Sequence, residues 1–334
     1  MNIEHPAKVP IDALRANVSV SFEESRAMPP QVYTSKEFNK TELEQIFKKD
    51  WFCVGRASAL AKPGDYVTCE LAEQPVIVLR DQNNTLRAMS NVCRHRMSTL
   101  LNGSGSAKVI VCPYHAWTYN LDGSLRGAPA MNANKAFCKN QYKLPTIACE
   151  EWLGWVFINL NPDAKPVSQE LTEVQELIKG YDMANYTQTF FEEHLWDTNW
   201  KILAENFMES YHLPVCHAET IGGLSKLDEM ICPPGRKAFN YHTILKDKSL
   251  SIAMAHPNND RLKGEERRTT YLLAIYPSLL ITLTPGYFWY LSLHPKGPSK
   301  VHIRFGGGMS DDYIDDKEAQ KNLSDLKSLL DRVN

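Results

Sequence analysis

The chain has 334 residues, with 37 Lys and Arg against 39 Asp and Glu, a formal net charge of −2 and 43% apolar residues. That length suits about two domains, and the near-neutral charge gives no electrostatic support for binding nucleic acid or an anionic membrane. No apolar run approaches the roughly 20 residues that span a bilayer, and Met1–Pro6 lacks the basic-then-apolar pattern of a secretion signal, so a cytoplasmic protein is expected.

In chain order, residues 35–51 read as a helix, with Ser35 as its cap and Phe38, Leu43, Ile46 and Phe47 as its apolar stripe. From 48 to 162 the pattern is short and β-rich. Tyr66–Thr68, Val76–Leu79, Val109–Val111 and Trp155–Leu160 are strand-like, and Asp122-Gly123 is a hairpin turn. Asn161-Pro162 closes this stretch, and a helix is expected over 167–180 with Leu171, Val174, Leu177 and Ile178 on one face. Residues 190–200 are aromatic and strand-like, and a helix is expected over 202–212. Four strands, 271–276, 279–284, 287–294 and 301–305, are separated by Pro- and Gly-containing turns. The final stretch, 317–333, has Leu323, Leu326, Leu329 and Leu330 at helical spacing. The fold class expected is α+β: an all-β domain over 48–162 behind an N-terminal arm and helix (1–47), then a domain over 163–334 with a large antiparallel sheet flanked by helices.

The most informative residues are Cys93, His95, Cys112 and His115. They read Cys-Arg-His and, after sixteen intervening residues, Cys-Pro-Tyr-His. Two cysteines and two histidines in two short segments fit a [2Fe–2S] cluster in which thiolates hold one iron and imidazoles the other. Structural zinc is the rival, since it too takes Cys and His at short spacing. With Asn91-Val92, Ala116-Trp117 and Tyr119 around these ligands, the stretch resembles the Rieske iron–sulfur domain. Respiratory members of that group carry an extra cysteine in each loop. Arg96-Met97-Ser98 and Pro113-Tyr114 contain none, so the loops resemble those of oxygenases and their ferredoxins. The other six cysteines are expected as free thiols.

A second motif runs from Glu205 to His217. His212 and His217 are five apart, which does not put both on one face of a straight helix. Pro214 lets the chain turn after His212, so that His217 returns from a loop. Two imidazoles and a carboxylate make the facial triad of non-haem Fe(II) oxygenases; alone, such a pair is more often packing or surface histidine. With the Rieske-like loops upstream, the chain resembles the catalytic (alpha) subunit of Rieske non-haem iron oxygenases over nearly its whole length. The resemblance implies that Glu209, three residues before His212, bridges electron transfer between subunits. Glu in place of the usual Asp is similar to the branch that oxidises choline, carnitine and betaines. It implies a third iron ligand, an Asp on a C-terminal helix, expected beyond Asn334 in a truncated chain, with Asp331 or Asp325 as candidates within it. It also implies a homotrimer, and electrons from a separate NAD(P)H-dependent flavin or iron–sulfur reductase or a ferredoxin. Aromatic-ring dioxygenation is the competing activity, and a Rieske electron carrier without oxygenase activity the competing class. Tyr271, Tyr276, Tyr287, Phe288, Trp289 and Tyr290 could line a cation–π or aromatic pocket, or simply fill a sheet core.

Overall fold

The computed structural model describes residues 7–219, 229–245 and 251–332. Two compact units emerge: residues 47–172, and residues 1–46 together with 173–334.

The first unit is built on a seven-stranded antiparallel sheet. Its order is Phe52–Arg56, Trp155–Asn159, Thr146–Trp152, Leu86–Ser90, Gln74–Arg80, Asp65–Leu71 and Ser104–Ser106. The continuous apolar run Val76–Leu79 marks a strand covered on both faces, and all four residues are fully buried. A three-stranded sheet follows, Ile110–Val111, Thr118–Tyr119 and Leu125–Gly127. The expected hairpin turn lies between its last two strands. Gly123 takes φ +82°, and the Asn120 N–H closes the turn on the Ser124 carbonyl at 2.9 Å.

The second unit carries its own seven-stranded antiparallel sheet, in the order Thr187–Trp196, Val301–Met309, Tyr287–Pro295, Leu279–Leu283, Thr269–Ile275, Phe239–Leu245 and Met230–Ile231. Gly306, Gly307 and Gly308 leave the Val301–Met309 strand bare. A Cβ at Gly306 would meet the Tyr290 ring at 2.6 Å, one at Gly307 the Phe190 ring at 2.5 Å, and one at Gly308 the Thr187 carbonyl oxygen at 2.0 Å. The helix Lys317–Leu330 starts at Asp316, whose side chain accepts from the N–H groups of Glu318 and Ala319, and it buries Ala319, Leu323, Leu326 and Leu330.

Three helices differ from expectation. The first is shorter, Lys36–Glu42, and loosens into a wider turn over Leu43–Phe47. The second breaks into Val167–Glu170, Thr172–Leu177 and a tight turn at Lys179–Tyr181. The third is Trp200–Phe207, capped by Asn199, and it ends before Glu209. The side chain of Glu209 accepts from the N–H groups of Tyr211 and His212, a local alternative to continuing the helix.

In the first unit Asp81 is buried and accepts from the N–H groups of Asn83 and Thr85 and from Arg87 Nε at 2.5 Å. Burial would raise its carboxyl pKa, but Arg87 and the two N–H groups outweigh burial and hold it below its ordinary value. A carboxylate depressed in this way stabilises the fold above its unfolded pKa and loses that contribution as pH falls. Asp81→Asn is expected to cost about 2 kcal/mol at neutral pH and to flatten the acid limb of stability measured by urea unfolding from pH 7 to pH 3.

Candidate metal centres

The two Cys/His loops fold alike. In each, the cysteine N–H donates to the carbonyl five residues on, Ser98 at 2.8 Å and Trp117 at 2.8 Å. The N–H four residues on donates back to the cysteine carbonyl, Met97 at 3.1 Å and Ala116 at 3.0 Å. Closing so tight a loop needs left-handed backbone, and Met97 (φ +55°) and Ala116 (φ +56°) supply it. Asn91 braces the first loop, its side chain pairing with both the N–H and the carbonyl of Leu101 at 2.9 and 2.8 Å.

The loops bury Cys93 and Cys112 in an apolar cluster with Ile77, Leu79, Leu100, Ile110, Trp117 and Leu121. His95 is half-buried, and His115 is exposed. The imidazoles lie beside each other, ring centres 4.7 Å apart, and His95 stacks on Trp117 at 4.8 Å. Trp117 is wedged in turn by Phe137 and Tyr142.

The donors suit a metal. His95 Nδ1 is buried without a hydrogen-bond partner, which a protein tolerates where a ligand completes the site. Burial, with His115 and Arg96 nearby, holds the His95 pKa down, so the ring is neutral. Burial would raise Cys112. The N–H groups of Tyr114 and His115 and the side chains of Cys93 and Ser98 outweigh it and favour thiolate. A cysteine pair beside a histidine pair matches two irons with two protein ligands each.

Tyr119 adds a contact whose role the spacing did not reveal. Its Oη accepts from the Arg94 N–H at 3.0 Å, which leaves its own proton for Cys93 Sγ at 3.4 Å.

The second motif is also assembled, by a different backbone than expected. The chain leaves the helix at Met208 and re-forms a short one, Leu213–Cys216, with His212 as its N-cap. Pro214 therefore begins a helix, where its missing N–H costs nothing, instead of ending one. His217 follows the last turn, and its ring lies 5.1 Å from that of His212. Glu209 Oε1 is hydrogen-bonded to His212 Nδ1. A carboxylate only accepts, so Nδ1 carries the proton and Nε2 presents a lone pair for a metal.

Asp331 does not join the histidines. It ends the C-terminal helix and pairs with Lys327 at 2.8 Å, and among the described residues no third ligand group, Asp325 included, completes a metal set. Of the late-strand aromatics, Tyr287, Phe288 and Tyr290 are buried in the sheet. Trp289 is partly exposed and meets Phe207, at the end of the Trp200–Phe207 helix, with ring centres 5.2 Å apart.

Residues 50–147 match the family model "Rieske [2Fe-2S] domain", and residues 181–326 match "Ring hydroxylating alpha subunit (catalytic domain)". The class is therefore a Rieske protein joined to a ring-hydroxylase catalytic domain. The carnitine monooxygenase oxygenase subunit of Escherichia coli K12 is 30% identical over 287 residues, 81% of this chain and 71% of that protein. That of Acinetobacter pittii is 39% identical over 197 residues, 57% of this chain, and the chain spans about half the length of that relative, 52%. A solved quaternary ammonium Rieske monooxygenase, described in terms of carnitine oxidation and inter-subunit electron transfer, is 26% identical with a TM-score of 0.76, over 89% of this chain and 79% of that one. The chain belongs to the catalytic alpha subunits of the Rieske non-haem iron oxygenases. Their cofactors are a Rieske cluster and a mononuclear iron.

With Cys93 read as a cluster ligand, removing the Tyr119 hydroxyl takes a hydrogen bond from a ligand thiolate, where it favours the more negative, reduced state. Tyr119→Phe is expected to lower the cluster potential by about 40 mV, the equivalent of one hydrogen bond of about 1 kcal/mol, with an unchanged visible spectrum, as read by film voltammetry.

Proposed function

We propose that this chain is a terminal oxygenase component that uses O2 and reductase-supplied electrons to hydroxylate or N-demethylate a small organic substrate, a quaternary ammonium compound being the favoured class. The observation that carries the reading is the Glu209–His212 hydrogen bond beside His217. It prepares one imidazole for a metal in a chain that also holds two matched cluster loops. Relatives named carnitine monooxygenase oxygenase subunit support the substrate class. The catalytic-domain match over 181–326 favours an oxygenase over a simple electron carrier.

In this reading Cys93 and Cys112 hold the inner iron of the cluster, His95 and His115 the outer one, and His212 and His217 the single iron. When bound, the cluster supplies electrons singly and the lone iron activates O2. The protein's part is placement. Buried cysteines keep water from the inner iron, while exposed His115 gives electrons a way in from a separate NAD(P)H-dependent flavin or iron–sulfur reductase or a ferredoxin. Glu209 orients His212 and is 41% exposed, so it is available to a histidine ligand of another copy in a homotrimer. Trp289 presents an aromatic face suited to a methylammonium group.

His212→Ala should abolish O2 uptake with L-carnitine, glycine betaine or choline while leaving the visible and EPR spectra of the cluster intact; joint loss would contradict two independent centres. Glu209→Ala should retain both metals and slow cluster reoxidation about 10–100-fold, as followed by stopped-flow absorbance. A normal rate would remove the bridging role.

A further inference from the structure

The helix Trp200–Phe207 leads to Glu209 two residues on and to His212 five residues on, so whatever fixes that helix fixes the start of the iron segment. Its first turn is held from outside by the N-terminal arm of the same unit. Lys201 Nζ meets Glu42 Oε1 at 2.8 Å and Oε2 at 3.0 Å; the side chains are only 12% and 3% exposed. The ammonium sits in a cage of three rings, 5.1 Å from Trp200, 5.6 Å from Phe38 and 5.8 Å from Tyr33. Tyr33 donates its hydroxyl to Glu205, one turn further along the helix, at 2.9 Å. Asn199, the cap, donates to the carbonyls of Tyr33 at 2.8 Å and Pro298 at 2.7 Å. Arm, helix start and the turn after Tyr287–Pro295 thus meet at one buried polar knot.

We propose that Lys201 is a positioning residue for the single-iron site: its caged ammonium, paired with Glu42, pins the arm to the helix and so sets where Glu209 and His212 stand. The proposal rests on the single-iron reading of His212 and His217. Several features make the knot more than packing. The pair is enclosed: burial pushes Glu42 up and Lys201 down, each opposed by its partner, so neither charge is supported without the other. The cage places a cation where ring faces and a carboxylate favour it and a neutral side chain gains little. The tether contacts the helix at Asn199, Lys201 and Glu205 and stops short of Glu209. It therefore acts on the iron segment through the helix, without touching a ligand.

The test compares Lys201→Met, Glu42→Gln and Lys201→Ala, the last with and without n-propylammonium to refill the cage. In protein that keeps its iron–sulfur cluster and has had the single iron removed by a chelator, hydrogen exchange of the 208–217 amides is expected to quicken at least ten-fold in Lys201→Met and Lys201→Ala and less in Glu42→Gln. The cluster loops 92–99 and 112–117 should keep wild-type protection. Propylammonium should restore protection in Lys201→Ala and leave Lys201→Met unchanged. In iron-loaded protein, the EPR spectrum of the ferrous site treated with nitric oxide should broaden in the same order. Equal loss of protection in both regions would make the pair a general stabiliser and overturn the proposal, as would wild-type exchange in Lys201→Met. A wild-type protein with no nitrosyl signal would sink the single-iron reading, while the exchange pattern would still decide the role of Lys201.

Discussion

The first unit is organised by one conflict: two cysteine sulfurs must be shut away from water while an imidazole three residues after the second of them must reach the surface. Cys93 and Cys112 are almost fully buried, whereas His115 is exposed. A chain can do both within five residues only by reversing sharply. Met97 and Ala116 accept a left-handed conformation to allow it, at about 1–2 kcal/mol each. The paired backbone hydrogen bonds, the Asn91 brace and the Trp117–Phe137–Tyr142 wedge are the compensations.

The second unit meets its own demand with a carboxylate. Glu209 ends a helix, orders the two residues before the next one and fixes the proton on His212. These effects follow from one side chain lying in one place. Shortening it would therefore alter backbone, tautomer and exposure together, and the helix that leads to it is in turn fastened at its far end.

Much of this was legible in the sequence, and the reasons divide cleanly. The Rieske domain was legible because its signature is local: four Cys and His residues and their spacing imply it, and residues 50–147 match that family. The continuous run Val76–Leu79 and the leucine spacing of 317–330 were legible because burial imposes a period. Phe239–Leu245 was not, since Asn240, His242 and Thr243 break its apolar pattern. The helix expected over 202–212 stops at Phe207, yet Glu209 still reaches His212, since residues three apart can meet on a helix or on the turn that replaces it. The Lys201–Glu42 pair spans 159 residues and leaves no local trace. Nor could spacing show that Asp331 would be engaged by Lys327, since a carboxylate on a helix reads the same whether it binds a cation or a metal.

The three consecutive glycines at 306–308 carry a last consequence. With no side chains of their own, they hand the relief of that strand to its neighbours: the Phe190 ring covers Gly307, the Tyr290 ring covers Gly306, and the Thr187 carbonyl presses on Gly308. The contour on either face of the sheet is therefore written by rings borrowed from adjacent strands. A methyl at Gly306 or Gly307 would have to displace the Tyr290 or Phe190 ring, whereas one at Gly308 would meet the Thr187 carbonyl oxygen and force the main chain itself to shift. Divergence among relatives has a permitted route here and a forbidden one, a few ångströms from each other.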